Sequence, residues 1–126
     1  MITENKTHRV EPDITIFEIS GRLNLGNLLQ SAENAIQSLI NSGSRKLVID
    51  LSGITAIDSS GIGMLLSCAG QMDQLGGQLR VAGAHHTVAK VLQTVRMDRI
   101  VPLDADVALS CGSFSSRDDI SNRSGK

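Results

Sequence analysis

The chain has 126 residues, 40% of them apolar and 20% charged, with a formal net charge of −1. That length suits one domain with its own core, and a near-neutral balance gives no pull toward nucleic acid or anionic membranes. The absence of Trp and Tyr removes the aromatic platforms that stack single-stranded bases, and no apolar run reaches bilayer-spanning length.

Val10-Glu11-Pro12-Asp13 has turn chemistry between two short strands. The second, residues 14–19, carries Ile14, Ile16, Phe17 and Ile19 and ends at Ser20-Gly21. Asn27 caps a predicted helix over residues 27–41, with Leu28, Leu29, Ala32, Ala35, Ile36, Leu39 and Ile40 on one face. Ser42-Gly43-Ser44 stops it.

Residues 46–50 read as a strand whose Leu-Val-Ile centre lacks alternation, which suits a strand covered on both sides. A short loop follows. The next helix opens at Asp58-Ser59-Ser60-Gly61, points Ile62, Leu65, Leu66, Ala69 and Met72 inward, and ends at Gly76-Gly77. Residues 78–82 form another strand. A third helix spans 87–97 with Val88, Val91, Leu92 and Val95 facing in. Residues 100–103 are a short last strand, and Asp104-Ala105-Asp106 opens a final short helix through Leu109. From Gly112 onward Ser, Arg, Asp and Gly dominate, so the domain is expected over 1–112 and a disordered tail over 113–126.

The order β-β-α-β-α-β-α-β-α predicts an α/β domain. Its sheet is mixed: an opening antiparallel hairpin, then parallel strands joined by right-handed crossovers, with helices packed on it. Such sheets present sites at the carboxyl ends of their strands, where the Asp58-Ser59-Ser60-Gly61 turn lies. Asp and Ser are good helix caps, and capping alone accounts for much of the motif. A catalytic serine would need a base and an orienting group. His85-His86 follows a strand end at the same sheet edge, and Asp50, Asp58 and His85 could gather there, but the turn is not Gly-x-Ser-x-Gly. No phosphate-cradling glycine motif occurs. Cys68 and Cys111 are too few and too far apart for a metal knuckle or a disulfide framework, and Cys68 reads as a small buried hydrophobe. No catalytic residue, metal or cofactor is expected. The N-terminus lacks a basic stretch followed by an apolar one, so the expected setting is cytoplasmic.

In these motifs the chain resembles the STAS-domain anti-sigma factor antagonists. The matching residues are Ser20-Gly21-Arg22-Leu23, Val48-Ile49-Asp50-Leu51-Ser52, Ile57-Asp58-Ser59-Ser60-Gly61-Ile62-Gly63 and Gly76-Gly77-Gln78-Leu79. The resemblance implies a single STAS-type domain that binds an anti-sigma factor serine kinase and so releases a sigma factor. The kinase would phosphorylate a serine at this turn, and a serine phosphatase would reverse it. Carried over by position, the phosphoacceptor is Ser59, with Ser60 as runner-up. Asp58 would hold the turn, and Ser60, Gly61, Ile62, Gly63, Met64 and Asn24 would join it in the partner-binding face. Asn24 stands where family members commonly carry Asp, which keeps a hydrogen-bonding shape and drops one negative charge. The alternative is a STAS module that is never phosphorylated and serves a larger regulatory or transporter-associated assembly.

Overall fold

Four consecutive residues, Ile14, Thr15, Ile16 and Phe17, are buried although successive strand side chains point to opposite faces. Both faces of the sheet are therefore covered. The computed structural model describes residues 4–10 and 12–114. Its strands β1 (Glu4–Val10), β2 (Ile14–Leu23), β3 (Lys46–Ile57), β4 (Gln78–Ala82) and β5 (Leu103–Asp104) form one sheet in the order β1-β2-β3-β4-β5. β1 pairs antiparallel with β2, and the remaining pairs are parallel. The parallel strands are joined through α1 (Asn27–Asn41), α2 (Ser59–Gln74) and α3 (His86–Thr94), the last followed by a 3-10 turn at Met97–Arg99. The expected mixed α/β architecture is the one observed.

The larger core lies on the sheet face that packs against α1, α2 and α3. Phe17, Ile19, Leu47, Ile49, Leu51, Leu79 and Val81 from the strands meet Ile36, Ile40, Leu65, Met72 and Leu92 from the helices. The opposite strand positions, Ile14, Ile16, Val48 and Ala82, form a second cluster with Phe114. A fourth helix, α4, includes residues 107–114 and covers them. It is pinned there by Asp104, whose carboxylate accepts from Arg80 Nε (2.8 Å), Arg80 Nη2 (3.1 Å) and the Ser110 hydroxyl. The Arg80 guanidinium also lies 5.7 Å from the centre of the Phe114 ring.

Several boundaries differ from the sequence expectation. β2 runs through Ser20-Gly21 to Leu23, and β3 runs on to Ile57, because register shifts between Glu18 and Ser20 and between Gly21 and Arg22 absorb the irregularity without ending the pairing. The two strands thus extend past the end of β4 and carry the next turn with them. Asn27 is the first helical residue; Gly26 occupies the cap position and no side chain caps α1. α3 stops at Thr94, and Val95 is exposed, because the following 3-10 turn inserts Met97 and Val101 into the core instead. Ile100 is exposed outside any strand, and the last strand is only Leu103–Asp104. The predicted tail boundary at 113 is also corrected. Ser113 and Phe114 are helical, and Phe114 is 2% exposed because the second sheet face needs an apolar cover. The rest of the expected tail, 115–126, lies outside the described residues.

Candidate functional site

Asp58 organises the turn at the carboxyl end of β3. Its backbone is extended, and its carboxylate oxygen Oδ1 accepts from the N–H groups of Ser60 (2.9 Å) and Gly61 (3.1 Å), donors that a helix N-terminus leaves without backbone partners. Its other oxygen, Oδ2, accepts from the Leu25 N–H at 3.1 Å, in the loop between β2 and α1. The Asp58 N–H in turn donates to the Leu23 carbonyl at 3.3 Å. One residue therefore ties two loops from distant parts of the chain into a single surface. The N–H groups of Gly61 and Leu25, with that of Ser60, hold the Asp58 carboxyl below the ordinary carboxylate value.

Ser59 is the first residue of α2 and is exposed. Among the described residues no side chain hydrogen-bonds its hydroxyl. Ser60 is half-buried, as are Ile62 and Asn24. Gly63 is exposed, with nothing within 4 Å of where a β-carbon would stand. The sequence expectation is corrected at two residues of the proposed face. Met64 is 5% exposed and belongs to the core, because α2 is rolled so that Gly61, Met64, Leu65, Cys68 and Met72 face inward and Ile62 and Leu66 lie at the edge. Gly61 is buried too. Its missing side chain serves an internal contact: a β-carbon there would collide with the Leu23 carbonyl and lie 2.9 Å from Ile57 Cγ1.

The residues that could have made a catalytic set do not converge on Ser59. Asp50 Oδ1 accepts from the Ser52 N–H at 2.9 Å, and His85 Nε2 donates to the Ser52 carbonyl at 2.9 Å. Asp58 is engaged by Leu25, Ser60 and Gly61. Among the described residues no group of three or more His, Cys, Asp or Glu side chains is placed to hold a metal ion. Burial pushes the Cys68 thiol up to about 11, with the Glu33 charge adding to the effect. What the turn offers chemically is one exposed hydroxyl, that of Ser59, on a capped helix end, with the half-buried Ser60 beside it.

The STAS domain profile matches residues 5–110. The chain belongs to the STAS domain family. A protein of Thermotoga neapolitana, provisionally named as an anti-sigma factor antagonist homologue, is 24% identical over 96 residues, which cover 76% of this chain and 85% of that one. Among solved structures, an anti-sigma factor antagonist from Mycobacterium paratuberculosis superposes with a TM-score of 0.78 at 16% identity, covering 88% of this chain and 92% of that one. The anti-sigma factor antagonist SpoIIAA in its unphosphorylated form gives 0.75 at 18% identity over 90% and 97% of the two chains. The phosphorylated form of SpoIIAA from Bacillus gives 0.69 at 17% identity, over 88% of this chain and 99% of that one. These likenesses establish the STAS fold. Among the described residues, no helix of this STAS domain is long and apolar enough to cross a membrane.

One residue of the site escaped the sequence reading. Leu25 is 78% exposed and is joined through its N–H to the Asp58 carboxylate. A signal was there: Leu25 is a large apolar residue in Asn24-Leu25-Gly26, outside the periodic stripe of either flanking element.

Proposed function

We propose that this STAS domain is an anti-sigma factor antagonist: it binds an anti-sigma factor serine kinase, so releasing a sigma factor, and is switched off by phosphorylation of Ser59. The observation that carries the reading is the Ser59 hydroxyl, exposed and unpaired on a turn that Asp58 holds rigid from both sides. The names of its relatives support it, as does the solution of SpoIIAA in a phosphorylated form. The domain performs no catalysis in this scheme, ATP belongs to the kinase, and a serine phosphatase resets the switch.

In this scheme phosphate acts through its charge. A phosphoserine carries roughly −1.5 to −2 charge at neutral pH. The Ser60 and Gly61 N–H groups that would draw that charge inward are already bonded to Asp58. The new dianion therefore stays outward beside a carboxylate, where it leaves the fold intact and spoils docking by desolvation and by repulsion from any acidic group on the partner.

The test is capture with wild-type and Ser59→Ala baits, followed by incubation of purified protein with the captured kinase and ATP. The expected result is one phosphate on wild type, mapped to Ser59, none on Ser59→Ala, and loss of kinase binding by the phosphorylated form with its melting temperature within about 3 °C of the unmodified protein. A domain that takes no phosphate from any kinase it binds, or one that unfolds on phosphorylation, would overturn the reading.

A further inference from the structure

We infer that the partner kinase receives this face through an apolar pocket for Leu25, so that docking is driven by burial of uncharged surface. The inference rests on the functional reading above and adds the chemistry of the partner's surface.

Leu25 is the most exposed large apolar side chain among the described residues, at 78%, ahead of Ile100 at 65%. Scattered exposed leucines are ordinary. Leu25 differs in being tied through its backbone to Asp58, the residue that precedes Ser59 and caps its helix. Its N–H is bonded to Asp58, and the next residue, Gly26, sits at φ +146° with its carbonyl accepting from the Gln30 N–H at 3.1 Å as α1 begins. A side chain on a fixed backbone loses little freedom when a partner covers it, which suits a binding anchor.

The surroundings carry few charges. Residues 24–26 and 60–63 have no charged side chain; the charges that flank them in sequence are Arg22, which is exposed, and Asp58, whose carboxylate is already hydrogen-bonded to three N–H groups. Gly63 leaves open space one helical turn from Ser59, so a partner can approach closely. The net charge of −1 adds no strong long-range steering. A face of this kind matches a concave apolar surface better than a basic one. On this reading a dianion on Ser59, placed among groups that must leave water, opposes burial even where the partner carries no acidic residue.

The test uses the purified kinase identified by its transfer of phosphate to Ser59. Its Kd is measured by calorimetry for wild type, Leu25→Ala, Leu25→Met and Ile100→Ala, each first shown by thermal melt to be folded. Ile100 lines a cavity of about 340 Å³ with Gly77 and Gln78, at the opposite end of the parallel strands from Ser59, and serves as the control. Leu25→Ala should bind at least roughly tenfold more weakly, the size expected from losing most of a buried Leu side chain. Leu25→Met should stay within about threefold, and Ile100→Ala should match wild type. Wild-type affinity should change less than about threefold between low salt and about 0.5 M NaCl, because apolar burial is not screened. Leu25→Ala binding within twofold of wild type, or a tenfold salt dependence, would overturn the inference and leave the kinase-binding reading standing. A wild-type domain that binds no such kinase would overturn both.

Discussion

Replacing Gly61 with alanine should destabilise the domain although alanine is the better helix former. A β-carbon at Gly61 would fall inside contact distance of the Leu23 carbonyl oxygen, 2.9 Å from Ile57 Cγ1 and 3.2 Å from Leu23 Cγ. The carbonyl cannot step aside freely, because it accepts the Asp58 N–H at 3.3 Å and so belongs to the clasp that aligns α2 with β2. Alanine gains at most about 1 kcal/mol of helix propensity, and less in a first turn. Overpacking typically costs about 1–3 kcal/mol, with the upper half of that range apt for a backbone collision. The net loss is about 1–2 kcal/mol, or a fall of roughly 4–8 °C in melting temperature for a domain of this size. Gly63, two residues on, has no neighbour within 4 Å and ordinary helical geometry. Gly63→Ala should therefore raise the melting temperature by about 2–4 °C, through about 0.5–1 kcal/mol of propensity. Thermal unfolding followed by circular dichroism measures both. If Gly61→Ala melts at or above wild type, the close approach of α2 to β2 is not what the glycine is for.

Phe114→Ala should cost about 3–4 kcal/mol in urea unfolding, and removal of residues 113–126 at least as much; a truncated protein within about 0.5 kcal/mol of full length would return the domain boundary to residue 112. Acid should loosen both the α4 clasp and the Asp58 turn. Burial raises the Asp104 carboxyl, but hydrogen bonds from Arg80 and Ser110 outweigh it and leave the group below 3.8; Asp58 is lowered by the N–H groups of Gly61 and Leu25, with Ser60. Both folded values lie below the unfolded one, so their contribution is whole above pH 3.8 and is lost as pH falls from there through the folded values. Urea midpoints taken from about pH 6 to about pH 2 should drop over that interval, and less steeply in Asp104→Asn. The thiols should separate by burial. Cys68, held protonated at neutral pH by a value of about 11, should react with a disulfide reagent only after unfolding, while the half-buried Cys111 reacts in the native protein; equal rates would mean that α1 and α2 do not seal Cys68.

The turn was legible because its chemistry is local. Asp58 followed by Ser59, Ser60 and Gly61 after an apolar strand announces a cap, and the cap is formed by that Asp through the N–H groups of Ser60 and Gly61. The strand and helix order was legible for a related reason: periodicity of two or of three to four is written in neighbouring residues. The limits of β2 and β3 were not, since Ser20-Gly21 looks like a strand end and residues 51–57 like a loop, and the two stretches pair through register shifts only when the strands lie side by side. The tail boundary failed at Phe114 because Gly112-Ser113 reads as coil until an uncovered sheet face is available to it.

Sequence alone determined that this is an α/β chain with a capped serine turn after its central strand, because caps, turns and periodicity depend on residues within one helical turn of each other. Which side of that turn faces water was decided by tertiary structure. The roll of α2 depends on how α1 and β4 pack against it and on the close approach of Gly61 to Leu23 at the end of β2, and that packing sends Met64 and Gly61 inward. Leu25 reaches the site because β2 pairs with β3 as far as Leu23 and Ile57 and because the Asp58 carboxylate, 33 residues along the chain, takes its N–H. Burial is a property of surfaces that meet across long sequence separations, and no short window of residues contains it.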